Sequence, residues 1–139
     1  MTMASAATIA EVKIGPVQVS AFTDMAQLLS YILREDGSVY AGSAIAINPE
    51  KILTAMENPQ VLAVIEQADL RFADGIGVVK VMQQRLGRKV ERIPGCELWQ
   101  ALMARAADYQ VPVYLVGAKP EVLAQTRDKL LQMGAKVVG

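Results

Sequence analysis

An aspartate at the end of a short apolar segment is the first candidate for chemistry in this sequence. Leu70 to Ala73 has the pattern of a buried strand, and Asp74-Gly75 follows it directly before a helical pattern begins. A carboxylate held at a strand tip can serve as a general base. Asp and Gly are also the residues that a tight strand-to-helix turn favours. The motif alone leaves a catalytic base and a structural turn equally open.

Two further polar candidates occupy similar places in the chain. Asn48 follows the small apolar segment 42–47, and Arg92 precedes a predicted helix start at Pro94-Gly95. In open parallel sheets, ligands bind beyond the carboxyl ends of the strands, where a helix N-terminus and a guanidinium can hold an anion. Asn48 before proline is as consistent with a helix cap as with a substrate contact. Arg92 is also consistent with a surface arginine paired with Glu91 or Glu97.

The remaining glycine and sulfur residues give weaker signals. Gly117 after the apolar segment 111–116 favours a turn over a phosphate cradle, because no nucleotide-binding fingerprint follows it. Cys96 near a helix start favours an inert thiol. Trp99 and the methionines are predicted to lie in the core.

Composition excludes several classes of protein. Fourteen basic residues balance fourteen acidic ones, so no net charge attracts nucleic acid. The chain has no histidine and no Asp-x-Asp motif, which disfavours zinc sites and metal-dependent transfer, and we expect no metal and no cofactor. One cysteine favours a reducing compartment, most simply the cytosol. Neither a signal peptide nor a membrane-spanning segment is predicted.

The order of patterns predicts the fold class. Residues 11–22 predict a bent edge strand or a hairpin, Thr23 is expected to cap a helix, and 42–47 has the pattern of a central strand covered on both sides. Strands are also predicted at 70–73, 111–116 and 135–138, with helices between them. This alternation predicts an α/β, Rossmann-like, doubly wound and mostly parallel sheet with helices on both faces.

The predicted organisation is a flexible tail over residues 1–10 and a single α/β domain over residues 11–139. Because the sequence stops inside a predicted core strand at Val137-Val138-Gly139, we expect it to be the N-terminal portion of a longer domain.

Four motifs in register resemble a known family. They are Ala46-Ile47-Asn48-Pro49-Glu50-Lys51, Ala73-Asp74-Gly75-Ile76-Gly77-Val78-Val79, Arg92-Ile93-Pro94-Gly95-Cys96-Glu97-Leu98 and Val113-Tyr114-Leu115-Val116-Gly117-Ala118-Lys119-Pro120. In this order and spacing the chain resembles the WecG/TagA/CpsF family of bacterial glycosyltransferases, from about Val12 to Gly139. The resemblance is strongest to the branch that transfers N-acetyl-D-mannosaminuronate.

The resemblance implies a reaction and its site. It implies inverting hexosyl transfer of N-acetylmannosaminuronate from UDP to the 4-hydroxyl of undecaprenyl-diphosphate-linked N-acetylglucosamine, in the biosynthesis of enterobacterial common antigen. By the family pattern Asp74 is the catalytic base, Asn48 lines the sugar pocket and Arg92 stabilises diphosphate charge. Gly75, Gly95 and Gly117 are expected to border the substrates. It also implies a protein peripheral to the inner face of the cytoplasmic membrane, and a possible homo-oligomer.

Two departures from the family pattern widen the alternatives. The teichoic-acid branch has threonine where this sequence has Ala46. Family members also continue through a glutamine-containing motif and a basic membrane-contacting segment, so we expect this chain to be weak or inactive alone. The alternatives are a nucleotide-sugar-binding fragment without catalysis, an N-acetylmannosaminyltransferase of the teichoic-acid type, or a scaffold that self-associates through a sheet edge.

Overall fold

The computed structural model describes residues 9–139, so most of the predicted tail, residues 1–8, lies outside the described residues. The secondary structure alternates along the chain. The strands are β1 (Glu11–Ile14), β2 (Val17–Ser20), β3 (Ala44–Ile47), β4 (Leu70–Ala73), β5 (Pro112–Val113) and β6 (Lys136–Val137), and the helices are α1 (Met25–Ile32), α2 (Pro49–Glu57), α3 (Pro59–Gln67), α4 (Ile76–Leu86), α5 (Gly95–Tyr109) and α6 (Pro120–Gln132). Within residues 9–139, no helix combines the length and the apolar character needed to cross a bilayer.

The described chain forms two compact units. The first contains residues 9–28 and Ala41–Gly95, and the second contains Leu29–Tyr40 and Cys96–Gly139. The architecture is mixed α/β with mostly parallel strand pairing, which is compatible with the predicted Rossmann-like class. The strands of the two units form separate sheets of four and two strands, where the sequence predicted one. The prediction of a single domain over residues 11–139 stays a prediction.

The sheet of the first unit has the strand order β1-β2-β4-β3. β1 and β2 pair antiparallel as a hairpin with Gly15 at a φ of 57°, which confirms the hairpin predicted over residues 11–22. The prediction of a central strand at 42–47 is wrong, because β3 lies at the edge of this sheet and only Ile47 is fully buried. Small apolar residues without alternation do not distinguish an edge from a centre, since strand order depends on long-range pairing.

Helices α2 and α4 follow the two strand ends that carry the candidate site. Pro49 is the first residue of α2, and its missing N–H costs nothing at that position. α4 begins directly after Asp74-Gly75, as the sequence pattern predicted, and Gly87 caps its C-terminal end with a φ of 64°, which favours glycine. Their inward side chains, Ile52, Val78 and Met82, pack with Ile47 of β3 in one core.

The first helix is capped by a different residue from the one predicted. Asp24 Oδ1 accepts a hydrogen bond from the Gln27 backbone N–H at 2.8 Å, so Asp24 satisfies a free donor of the first turn of α1. The Thr23 N–H instead donates to Gln27 Oε1 at 2.7 Å. The expectation that Thr23 is the cap is therefore wrong by one residue.

The second unit corrects two further predictions. The strand expected over residues 111–116 is limited to β5, and Tyr114 and Val116 beyond it are 71% and 87% exposed. Trp99 is 41% exposed, so the prediction that it lies in the core is wrong. Among the methionines of both units, Met82 is fully buried, whereas Met56 and Met133 are exposed.

The core of the second unit consists of Leu33, Ala106, Ala107, Val113, Leu130 and Ala135.

Candidate active site

The turns after β3 and β4 are joined through one carbonyl. The Ile47 carbonyl accepts hydrogen bonds from the backbone N–H groups of Asp74, at 3.0 Å, and Gly75, at 3.4 Å. Both strands run in the same direction, so their carboxyl ends meet at one edge of the sheet. The predicted proximity of Asn48 and Asp74 follows directly from this pairing.

Gly75 is required by close packing against the neighbouring turn. A Cβ atom placed on Gly75 would lie 2.6 Å from Pro49 Cδ and 3.4 Å from Asn48 Cα. No side chain fits at the first of these distances without movement of the proline ring or of the turn. Gly77 stands in looser contact, since its Cβ would be 3.5 Å from Pro49 Cγ. The Asn48-Pro49 and Asp74-Gly75 turns are therefore packed as one structural unit.

Arg92 lies directly beside Asp74. Its Nε donates to the Asp74 backbone carbonyl at 2.6 Å and lies 3.7 Å from Asp74 Oδ1. The side chains of Arg92 and Asp74 are 48% and 27% exposed, so both reach solvent. Because the partner of Arg92 is Asp74, the interpretation that pairs it with Glu91 or Glu97 is wrong.

The segment that carries Arg92 is anchored on both sides of it. Val90 and Ile93 are buried, and the Ile93 N–H donates to the Ala73 carbonyl at 2.9 Å. This bond keeps the extended link alongside the end of β4. Arg92, between the two anchors, points outward at the level of Asp74. The apolar spacing of the link thus determines where the guanidinium lies.

Gly95, the first residue of α5, completes the group around Asp74. A Cβ atom on Gly95 would lie 3.5 Å from Ala46 Cβ and 3.8 Å from Asp74 Oδ2. A larger side chain at residue 95 would extend toward the carboxylate. The absence of a side chain therefore keeps space open on that side of Asp74.

Asn48 is a helix cap, as one of its two interpretations predicted. Its Oδ1 accepts from the Lys51 backbone N–H at 2.9 Å, which satisfies a free donor at the start of α2. Its Nδ2 amino group has no hydrogen-bond partner within residues 9–139. The side chain is half-buried, so the amino group remains available to a ligand.

Gly117 belongs to the second unit, whereas Asn48, Asp74 and Arg92 belong to the first. It has a φ of 108°, and Ala118 after it has a φ of 62°. Such a conformation favours glycine and identifies Gly117 as a turn residue. A substrate contact at Gly117 stays a prediction.

Lys51 is a residue near the site that the sequence patterns did not single out. Its Nζ donates to the Ala46 carbonyl at 2.6 Å, and its side chain is half-buried. No carboxylate within the described chain lies close enough to form a salt bridge with it. The available signals were its place at the end of the motif that begins at Ala46 and its position three residues after the Asn48 cap.

Comparison with known protein families identifies the chain. A sequence model of the glycosyl transferase WecG/TagA/CpsF family matches residues 12–139. The chain belongs to this family. As a WecG/TagA/CpsF member it is a glycosyltransferase, and the family implies nucleotide-sugar donors and lipid-linked acceptors in general. In the described part of this family member, no group of three or more Cys, Asp or Glu side chains is placed to hold a metal ion.

Proposed function

We propose that the protein transfers N-acetyl-D-mannosaminuronate from UDP to the 4-hydroxyl of undecaprenyl-diphosphate-linked N-acetylglucosamine, with inversion, for enterobacterial common antigen. The family membership supports glycosyl transfer. The resemblance of the sequence, which is strongest to the mannosaminuronate branch, supports this donor. The observation that supports the proposed active site is that the Asp74 carboxylate lies beside the Arg92 guanidinium at the end of β4. In this proposal the protein works at the inner face of the cytoplasmic membrane.

Asp74 is the proposed general base. The acceptor oxygen forms a bond to the anomeric carbon while the bond from that carbon to the UDP oxygen breaks. The electron pair of the broken bond leaves with UDP, and the acceptor proton passes to the Asp74 carboxylate. The partial exposure of Asp74 gives an acceptor hydroxyl access to it. A reaction of this kind needs one base and a means of stabilising the leaving group.

Arg92 is the proposed stabiliser of diphosphate charge. Its Nε bond to the Asp74 carbonyl orients the guanidinium, and its two terminal nitrogens have no hydrogen-bond partner in the described chain. A fixed guanidinium offers paired N–H donors to phosphate oxygens. These hydrogen bonds become stronger as negative charge develops on the leaving UDP. The Nδ2 group of Asn48 is the proposed donor to the sugar, and Gly75 and Gly95 leave room for it.

The proposal is tested by transfer assays on the complete encoded protein. Purified undecaprenyl-diphosphate-linked N-acetylglucosamine is incubated with UDP-N-acetylmannosaminuronate or UDP-N-acetylmannosamine, and the lipid product is measured by mass spectrometry. We expect product from the uronate donor, with turnover unchanged by a metal chelator. Faster transfer of N-acetylmannosamine would assign the protein to the teichoic-acid type. Donor binding without product from either sugar would favour a nucleotide-sugar-binding role.

Arg92→Lys gives a second test at the same site. Lysine keeps the positive charge but loses the planar fork, so we expect a loss of about 10–100-fold in kcat. Arg127→Lys, at an exposed position of α6, is the matched control and should keep wild-type turnover. Full activity of the Arg92 variant would contradict its role at the diphosphate.

A further inference from the structure

Lys51 carries a positive charge that no carboxylate of the described chain balances. Its Nζ donates to the Ala46 carbonyl at 2.6 Å, and its side chain is half-buried. An ammonium group has three N–H donors, so two of them have no acceptor within residues 9–139. Neither of the ion pairs found in the described residues includes Lys51. A half-buried cation of this kind lacks an anionic partner, and burial makes that partner more valuable.

Lys51 is fixed at its backbone and at the tip of its side chain. Its backbone N–H donates to Asn48 Oδ1 at 2.9 Å, and its stem borders a groove together with Ile45 and Val61. The bond from Nζ to Ala46 holds the other end. A free lysine loses side-chain entropy when a ligand orders it, whereas this side chain is already ordered. The ammonium is therefore held ready for an anion at one position.

The ammonium lies at the free edge of β3, next to the candidate site. The Ile47 carbonyl bonds to the turn after β4, and successive carbonyls of a strand point in opposite directions, so the Ala46 carbonyl points away from β4. A Cβ atom on Gly95 would lie 3.5 Å from Ala46 Cβ and 3.8 Å from Asp74 Oδ2. Measured through these atoms, Nζ and Asp74 Oδ2 are separated by no more than about 13 Å.

This distance accommodates the sugar of the proposed donor. In the proposed transfer the acceptor oxygen lies between Asp74 and the anomeric carbon, and the hexose ring extends beyond that carbon. The C6 carboxylate of a hexuronate is attached on the far side of the ring oxygen from the anomeric carbon. A charge-assisted hydrogen bond of about 2.8 Å from the Lys51 ammonium to this carboxylate completes the span.

The two cations of the site suit different anionic groups of the donor. Arg92 bonds to Asp74 and has the planar fork that pairs with phosphate oxygens, whereas Lys51 bonds to Ala46 of β3 and is a compact point charge. UDP-N-acetylmannosaminuronate carries a diphosphate and a carboxylate, and UDP-N-acetylmannosamine carries the diphosphate alone. With Arg92 at the diphosphate, Lys51 matches the anionic group that distinguishes the two donors.

We propose that Lys51 selects the uronate donor by binding its C6 carboxylate. This role of Lys51 rests on the proposed function and adds the basis of donor choice. A donor with a hydroxymethyl group in place of the carboxylate covers the ammonium without neutralising it, and that costs binding free energy. Lys51 thereby favours the uronate in two ways, by attracting the charged sugar and by rejecting the neutral one.

The first test compares two donors on the complete encoded protein. The value of kcat/KM is measured for UDP-N-acetylmannosaminuronate and for UDP-N-acetylmannosamine with the same lipid-linked acceptor. Lys51→Met removes the ammonium and keeps most of the apolar stem. We expect it to lower kcat/KM for the uronate by about 10–100-fold without lowering the value for N-acetylmannosamine. Lys129→Met, at an exposed position of α6, is the matched control and should keep both wild-type values.

The outcomes separate Lys51 from the proposed function. A wild type that does not prefer the uronate would refute the proposed donor, and the role of Lys51 with it. If wild type prefers the uronate, an equal loss with both donors or an unchanged preference in Lys51→Met would overturn the role of Lys51 alone. Lys51→Gln is neutral and keeps a donor for the Ala46 carbonyl, so it gives the same comparison if Lys51→Met does not fold.

The second test separates binding from turnover by calorimetric titration. Lys51→Met should weaken the binding of UDP-N-acetylmannosaminuronate by about tenfold or more and leave the binding of UDP unchanged, because UDP has no sugar carboxylate. Lys51→Arg keeps the charge and should retain the preference for the uronate. Weaker binding of UDP by Lys51→Met would assign the ammonium to a phosphate and overturn its role at the sugar.

Discussion

The contacts of Asp74 are compatible with both roles that its sequence context left open. Its backbone N–H is part of the turn, bonded to the Ile47 carbonyl, while its carboxylate remains partly exposed beside Arg92. A turn residue and a reactive carboxylate are compatible because the backbone and the side chain use different atoms. Asn48 shows the same division, with Oδ1 in the cap and Nδ2 without a partner in the described chain.

Replacing the carboxylate of Asp74 tests the proposed base. We expect Asp74→Asn to lower kcat by about 10²–10⁴-fold, since the amide cannot accept the acceptor proton. The size and backbone bonds of the residue are kept, so the unfolding free energy should change little. Steady-state transfer assays measure the effect, with Asp128→Asn on the exposed side of α6 as the control. Normal transfer by Asp74→Asn would refute the assignment.

Two substitutions separate the cap of Asn48 from its proposed sugar contact. Serine is as good an N-cap as asparagine but lacks the amide donor, so Asn48→Ser should keep stability and lose kcat/KM. Alanine removes both functions, and Asn48→Ala should also lower the unfolding free energy by about 1 kcal/mol. Urea unfolding and transfer assays on the same preparations measure the two effects. Full activity of Asn48→Ser would show that Asn48 acts only as a helix cap and makes no contact with the sugar that matters for transfer.

At the scale of elements, the site depends on how two strand-to-helix turns pack. The turn after β3 and the turn after β4 meet at Gly75 and Pro49, and the link before α5 is bonded to the end of β4 through Ile93. The elements themselves are conventional, with proline at the first helical position of α2 and glycine after α4. Their packing brings Arg92 to Asp74, eighteen residues away along the chain.

Gly75, in the turn after β4, and Gly77, in the first turn of α4, give a matched test of this packing. Gly75→Ala places a Cβ 2.6 Å from Pro49 Cδ, and we expect it to lower the unfolding free energy by about 1–3 kcal/mol. Gly77→Ala places its Cβ at 3.5 Å, inside α4, and should change stability by less than about 1 kcal/mol, toward greater stability. Equal effects of both substitutions in urea unfolding would contradict the packing of the joined turns.

At the scale of the whole molecule, the aromatic residues divide unevenly between the two units. Trp99 and the four tyrosines all lie in the second unit, and the first unit contains neither residue type in its described part. Their fluorescence therefore reports on the second unit, whereas far-ultraviolet circular dichroism reports on both. This distribution makes the predicted single domain testable.

If residues 11–139 fold as one domain, the two signals should change together. We expect coincident urea transitions with equal midpoints from fluorescence and circular dichroism, as a two-state domain requires. A Trp99→Phe variant identifies the part of the fluorescence change that comes from the tryptophan. Separate midpoints would show that the units unfold independently and would refute the single-domain prediction.

The sequence by itself determined features that depend on local chemistry. The bounds of β4, the start of α4 after Asp74-Gly75, the hairpin and the start of α5 at Pro94-Gly95 follow from apolar spacing and from residues that begin or end elements. The same local patterns placed Asn48 and Asp74 directly after strands and Arg92 in the link before α5. These signals lie within short stretches of chain, where neighbouring residues decide the conformation.

Only the tertiary structure decided which residues meet. It placed β3 at the edge of a sheet, exposed Trp99, and gave Arg92 the Asp74 partner that local sequence did not indicate. It also revealed that the half-buried Lys51 side chain donates through Nζ to the Ala46 carbonyl. The physical reason is that strand order and side-chain partners are set by contacts between distant residues, which a local pattern does not encode.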